Sequence, residues 1–511
     1  MKFVKRINLL YCLSAVLLLA ACGAEQQTSM ELTEPVDTEV VSAASGLLNE
    51  AMTQAQTPDG LYISWREHRI DDQQLSGVEL RGSDGLVMAD LDGDGYQDIV
   101  SVHESDDTYD GAEEGHIRIA FGTADPDQWI NVTLAEGAEA AAAEDAVIVD
   151  INGDGLLDIV AACELSHLIY FENPGSDIRS GNWDRLIPSI TEDRGSFIRV
   201  FAADFNGDGI PELVSPNKGS QDPTRAVVEP KEISIFSIAG GEGLNDGAWS
   251  EHVLTRVPWP INSQAVDLDL DGDIDVVAAS VAEERSMWFE NVSQNGEFEF
   301  IEHPILITEP GTTGEAPIVN VFNMDTTDMN NDGRLDIVTF DTARLLGIDA
   351  VWIEQPASPQ EPWILHRIGS YAPDQLVGIA VSDIDGDGDD DVITGGYSGE
   401  WFYSESGSRL QDGLADPETE SGRLAWFENQ GNNGENWIRH DFSRRERGMF
   451  DKFIPYDIDN DGDLDFFTTR GNSGEYDGVL WLEQLRTEEP VQAFISAFEV
   501  DSPEIPLPLA E

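Results

Sequence analysis

Seven times in this 511-residue chain, a nine-residue stretch carries acids at positions 1, 5 and 9, aspartate or asparagine at position 3, and glycine at position 6. The side-chain oxygens of the first three copies come from Asp90, Asp92, Asp94 and Asp98; Asp150, Asn152, Asp154 and Asp158; and Asp204, Asn206, Asp208 and Glu212. The fourth and fifth use Asp267, Asp269, Asp271 and Asp275, then Asp328, Asn330, Asp332 and Asp336. The last two use Asp383, Asp385, Asp387 and Asp391, then Asp457, Asp459, Asp461 and Asp465. Glycine at position 6 permits a tight turn. Position 7 is expected to add a backbone carbonyl, from Tyr96, Leu156, Ile210, Asp273, Arg334, Asp389 and Asp463 in turn. An all-oxygen set suits calcium, a hard cation that takes six to eight oxygens at roughly 2.3–2.6 Å. Three or four carboxylates in one turn repel one another without a cation. The expected cofactor is therefore calcium, up to seven ions.

The elements around each loop must hold it in place. The spacing of positions 1, 3 and 5 resembles an EF-hand, but no helix pattern follows. Instead come Ile99-Val100, Ile159-Val160, Leu213-Val214, Val276-Val277, Ile337-Val338, Val392-Ile393 and Phe466-Phe467. These β-branched or aromatic pairs between turn residues predict buried strands. An apolar segment such as 86–89 precedes each loop, so the loop sits in a hairpin. The loops start 60, 54, 63, 61, 55 and 74 residues apart.

Two other elements recur between loops. One ends in Glu-Asn or Glu-Gln: Tyr170 to Asn173, Trp288 to Asn291, Trp352 to Gln355, Trp426 to Asn429 and Trp481 to Gln484. The other opens on an aromatic residue with histidine three places on: Trp65 and His68, Trp249 and His252, Phe300 and His303, Trp363 and His366, Trp437 and His440. Trp129 and Trp183 open the same strand without the histidine. Each period thus holds four strands. Seven such periods predict an all-β fold, a seven-bladed β-propeller with four-stranded blades over residues 60–487. The last period lacks its fourth strand, and residues 61–70 supply one ahead of the first loop. An N-terminal strand completing the last blade is expected to close the ring.

The loops, their spacing and the following Ile-Val pairs resemble the FG-GAP/VCBS repeats of integrin-alpha-like propellers. That resemblance implies calcium at the loops. The Trp-Phe-Glu-Asn and Trp-x-x-His elements are similar, more weakly, to the propeller half of aldos-2-ulose dehydratase. That family adds cupin-like domains for which this chain has no length left, so no catalytic residue is carried over.

A basic start, a short apolar run and Leu19-Ala20-Ala21-Cys22 predict a secretion signal over 1–21. The ending resembles a bacterial lipoprotein signal, which implies lipidation of Cys22. Gly23 in place of aspartate points to the outer membrane, with the protein periplasmic or surface-exposed. Residues 22–59 read as a flexible tether and 488–511 as an acidic, Pro-containing tail lying loosely on the surface. Cys163 is expected to be buried and inert. The net charge is −71, and seven divalent ions would cancel only a small part of it. Such a charge excludes nucleic acid as a partner and fits a salt-rich medium that screens repulsion.

Strand alternation places the acidic loops on one face of the ring and the longer, more varied connections on the other. Binding loops on a rigid scaffold are where function usually resides. Residues 395–423 carry Tyr397, Trp401, Phe402 and Tyr403, an aromatic cluster suited to stacking on sugar rings. Residues 215–232 carry Lys218, Arg225 and Lys231, suited to a carboxylate or sulfate, as are Arg444, Arg445 and Arg447. His103 and His116 flank the acidic connection of the first blade. Two function classes follow. The favoured one is a calcium-stabilised, lipid-anchored module that binds a glycan or surface protein. The other is a carbohydrate-active enzyme, a polysaccharide lyase or sugar dehydratase. Its base would be His103, His116, Tyr403 or Tyr476, with Arg470 or Lys218 neutralising a uronate.

Overall fold

The computed structural model describes residues 47–105, 111–165, 167–221, 229–311, 319, 321–342, 347–372, 374–398, 421–431, 433–446, 448–472 and 474–507. Its strands form seven antiparallel units of four, a seven-bladed propeller. The first blade runs Ser83–Ala89, Asp98–His103, His116–Phe121 and Ile130–Glu136. The second runs Ala143–Val149, Asp158–Cys163, His167–Glu172 and Asp184–Leu186. The third runs Phe201–Ala203, Glu212–Pro216, Pro230–Ile238 and Trp249–Pro258. The fourth comprises Pro260–Val266, Asp275–Ser280, Arg285–Asn291 and Phe300–Ile305. The fifth comprises Asp325–Thr327, Asp336–Thr342, Gly347–Glu354 and Trp363–Ser370. The sixth comprises Gln375–Ser382, Asp391–Ser398, Ser421–Asn429 and Trp437–Glu446. Every acidic loop joins the first and second strands of its blade.

The apolar pair after each loop explains why the blades pack. Successive side chains of a strand point to opposite faces, so the pair splits between two cores. Ile159 joins Val100 between the first two blades, and Val160 joins Leu213 between the second and third. Val214 meets Val276, Val277 meets Ile337, and Val338 meets Val392 in the next three cores. Ile393 then meets Phe466, and Phe467 meets Ile99. Burying one such side chain contributes roughly 1.5–3 kcal/mol.

The seventh blade takes strands from both ends of the chain. Phe453–Tyr456, Asp465–Arg470 and Gly478–Thr487 are followed by Tyr62–Asp72, which pairs with Gly478–Thr487 from Tyr62 opposite Thr487 to Asp72 opposite Gly478. A fifth strand, Phe494–Ile495, adds in parallel beside Trp65 and Arg66.

The tail therefore does not lie loosely. Phe494 and Phe498 are buried in the last core, and Asp501 and Glu504 meet the buried Arg445. The described end of the expected tether is packed too: Leu48, Thr53 and Ala55 are buried, and the Thr53 N–H donates to the Val491 carbonyl at 2.8 Å. The physical reason is the exposed edge that Tyr62–Asp72 would otherwise present, which a short fifth strand covers. No described helix is long and apolar enough to cross a membrane.

Phe494 packs 6.0 Å from Phe442, with the Arg445 guanidinium 4.7 Å above its ring. Phe494→Ala is expected to cost about 3–5 kcal/mol, read as a lower urea midpoint for the whole propeller. An unchanged midpoint would mean the tail lies outside the cooperative unit.

Candidate metal centres

All seven loops fold alike, because each carboxylate first serves the backbone of its own turn. The position-1 acid accepts the N–H of position 6 in every copy and that of position 5 in six of the seven. In the first loop these are Asp94 at 3.1 Å and Gly95 at 3.0 Å from Asp90. The position-3 oxygen accepts the position-5 N–H, whether from Asp92 at 3.2 Å, Asn152 at 2.9 Å or Asn330 at 3.0 Å. The position-5 acid accepts the position-7 N–H, as Asp271 does from Asp273 at 3.0 Å. Glycine at position 6 has φ between 89° and 99° in every copy. Position 4 is left-handed as well, although the motif leaves it open. Glycine fills it four times, and Leu270, Asn331 and Asn460 hold φ of 60°, 58° and 61°.

These turns bring the oxygens together. One oxygen from each of Asp90, Asp92 and Asp94 lies within 4.8 Å of the others; so do those of Asp267, Asp269 and Asp271. The same holds for Asp383, Asp385 and Asp391, and for Asp457, Asp459 and Asp465. The remaining three copies have asparagine at position 3, which contributes an amide oxygen instead. Asp267 Oδ1 is buried with no hydrogen-bond partner among the described residues. An orphaned carboxylate oxygen inside an all-oxygen donor set fits a hard cation such as calcium.

Position 9 differs from the rest: its acid is buried in every copy. Asp275 accepts the Leu268 N–H of its own loop at 3.1 Å and the Asn291 N–H of the third strand at 2.7 Å. Asp336 bonds Met329 and Gln355 the same way, Asp391 bonds Ile384 and Asn429, and Asp465 bonds Ile458 and Gln484. Burial, and after it neighbouring loop carboxylates, outweigh these donors. Asp98 is pushed up to about 6; Asp158, Glu212, Asp275 and Asp336 to about 7; Asp465 to about 8; Asp391 to about 9.

The Glu-Asn and Trp-x-x-His elements turn out to be one device. His366 stacks 4.0 Å from Trp352 and pairs with Glu354 at 3.0 Å. His68 lies 4.0 Å from Trp481 and pairs with Glu483 at 2.8 Å; His303 and His440 do the same with Glu290 and Glu428. The motif's Asn or Gln then reaches the neighbouring blade's loop. Asn291 donates to the Phe205 carbonyl at 2.9 Å, and Gln355 to that of Leu268 at 3.1 Å. Equal recurrence of the glutamate and histidine was the available signal for this pairing.

One cation partner has no sequence signal. Arg179, from the second blade, donates to Asp92 at 2.6 Å and Asp94 at 2.8 Å in the first blade's loop. Arg334 folds back onto Asp332 within its own loop.

On the opposite face, several expected ligand groups are turned inward. His103 is buried, with Ser83 Oγ at 2.7 Å from Nδ1 and Ser101 Oγ at 3.0 Å from Nε2. Lys218 is buried against Glu164 and donates to the Gln221 carbonyl at 3.1 Å. Arg470 is buried and donates to Asp501 at 2.8 Å. Arg444 pairs with Asp374 at 2.8 Å, and Arg445 with Glu67 at 2.9 Å. His116 and Tyr476 stay half-buried; Ser105 Oγ lies 3.3 Å from His116, and Phe498 packs edge-on against Tyr476. Cys163 is buried, and burial pushes its thiol up. Cys22, Arg225, Trp401, Phe402, Tyr403, Arg447 and the Tyr397 side chain lie outside the described residues.

A family model described as FG-GAP-like repeat matches residues 90–161, 150–215 and 267–339. Each matched stretch begins at position 1 of an acidic loop, so these segments are FG-GAP-like repeats. Among solved structures, the chain is similar to BBS1N in complex with ARL6DN, at 10% identity and a TM-score of 0.40, covering 84% of this chain and 98% of that one. It is similar to YCF48 from Cyanidioschyzon merolae at 11% identity and a TM-score of 0.41, covering 82% and 98%. No curated protein matches the chain.

The raised position-9 acids give the metal-free protein a pH dependence. A proton held above its unfolded pKa stabilises the fold fully below about pH 4, and that contribution is lost as pH rises through the folded values, about 6 to 9. The Tm of chelated protein is expected to fall between pH 6 and pH 9, while millimolar calcium holds it level. Calcium at a hundredfold over its dissociation constant adds about 2.7 kcal/mol per site. Calorimetry with and without chelator checks this, and coincident curves at every pH refute calcium at the loops.

Leu270→Gly relieves a left-handed leucine that is exposed. It is expected to raise stability by about 0.5–1 kcal/mol, measured by chemical denaturation at fixed calcium.

Proposed function

We propose that this propeller of FG-GAP-like repeats is a binding module, stabilised by calcium in its seven acidic loops and anchored to the bacterial cell envelope by a lipid on Cys22. The partner is a glycan or surface protein that meets the face opposite the loops. One observation supports binding over catalysis most directly. Of the groups suited to acid–base or charge-neutralising roles, His103, Lys218 and Arg470 are buried and engaged by internal partners. A general base must reach the proton it removes, and a histidine held between two serines inside a blade does not. We assign recognition to the connections between second and third strands on their sequence, residues 395–423 above all. Aromatic residues there suit the faces of sugar rings, whose C–H groups pack on aromatic planes.

Incubation with a panel of acidic algal and plant polysaccharides tests this reading, with ultraviolet absorbance reporting unsaturated uronates. Retention on glycan or protein arrays without absorbance change is the expected result. Product formation that disappears in His116→Ala or Tyr403→Phe would replace the binding reading with a lyase.

A further inference from the structure

The centre of the ring, at the strand ends away from the acidic loops, holds a second group of carboxylates with different geometry. Asp84 is the second residue of Ser83–Ala89, Glu144 the second residue of Ala143–Val149, and Glu104 directly follows Asp98–His103. One oxygen from each lies within 4.8 Å of the other two. They are placed by fold and not by a turn, since they come from two blades.

Asp84 is 3% exposed, and its Oδ2 has no hydrogen-bond partner among the described residues. Glu104 receives one bond, from Gln221 Nε2 at 2.9 Å. Glu144 has Arg199 Nη1 at 3.7 Å, beyond hydrogen-bond distance. Arg199 is itself shared with Asp451 of the seventh blade at 3.4 Å and Asn323 of the fifth at 3.2 Å, which places the group on the ring axis. The local charges do not balance. Among the described residues, Asp84, Glu104, Glu144, Asp145, Glu164 and Asp451 face only Arg199, Lys218 and Lys452. The cluster is formally three negative charges in excess, with Asp84 and Glu104 buried and Glu144 half-buried. A buried carboxylate with neither donor nor counter-ion is strongly unfavourable.

We propose that Asp84, Glu104 and Glu144 bind a hard divalent cation on the propeller axis, a site separate from the seven loops. An all-carboxylate set selects magnesium, calcium or manganese over zinc or copper, which take nitrogen and sulfur ligands. Three protein oxygens leave the remaining positions to water, as such ions commonly keep. Arg199 stands as the fixed cation that limits the site to a single divalent ion.

Crystals of the full chain grown in millimolar manganese(II), with data collected at the manganese edge, test this directly. The expected result is an anomalous peak at roughly 2.0–2.6 Å from the three carboxylates, resolved from any peaks in the loops. Asp84→Asn and Glu104→Gln are each expected to abolish that peak and to lower bound metal by one ion per chain in elemental analysis. No axial peak in the wild-type crystal overturns the site and leaves protons as the neutralising charge. A peak that persists in both variants overturns the assignment of its ligands. The wild-type measurement stands even where a variant fails to fold, and it does not depend on loop occupancy.

Discussion

The whole rim of this propeller depends on how a buried carboxylate is neutralised. Each blade places one acid, at position 9 of its loop, beneath the surface and between two strands. That side chain serves the geometry by accepting, in most blades, one backbone N–H from the loop and another from the end of the third strand. Two neutral donors are not enough charge: all seven acids remain above their ordinary range. Either a proton or a cation must complete the arrangement. The position-1, -3 and -5 oxygens next to it add charge that a proton on position 9 would not remove, which is the basis for proposing a cation there.

The few basic residues obey the same constraint. Arg118, Arg199, Arg423, Arg444, Arg445 and Arg470 are all wholly buried. Arg118 meets Asp71 at 2.5 Å across the first and seventh blades, and Arg445 meets Glu67 and Asp501. Buried pairs of this kind contribute little net stability, but removing one partner costs several kcal/mol, so they enforce which strands meet. The arginines at 444, 445 and 470 therefore tie down the tail, and do not form a basic patch for an acidic ligand.

What could be read from the chain and what could not divides along sequence distance. The acidic loops span nine residues and the strands that flank them fewer than ten, so type and spacing carry the information. The Ile-Val pairs mark buried strands for the same reason, and seven repeats set the number of blades. The pairing of His366 with Glu354 and Trp352 was half visible, since both partners recur. The axial group was invisible: Arg199 and Asp451 lie 252 positions apart and share no repeat, and Asp84 and Glu144 look like ordinary strand residues. The tail misled for a different reason. Its acids and prolines suggest a solvated segment, and only the buried arginines opposite it show why Asp501 and Glu504 are held.

Local and distant contacts also divide the labour of assembly. Tyr62–Asp72 pairs with Gly478–Thr487, so the last blade cannot form until nearly all of the chain is present. Contacts between distant residues form slowly because their loop entropy must be overcome first. Six blades must therefore persist while the seventh is incomplete, with apolar faces such as those of Phe467 and Ile99 uncovered. An acidic loop that captures a cation is complete within nine residues and needs no other blade. It ties the first strand to the second, and through position 9 to the third, before any neighbour arrives. A cation at the rim, as proposed, would thus act on a single blade, whereas the proposed axial ion would need the first two blades to have met.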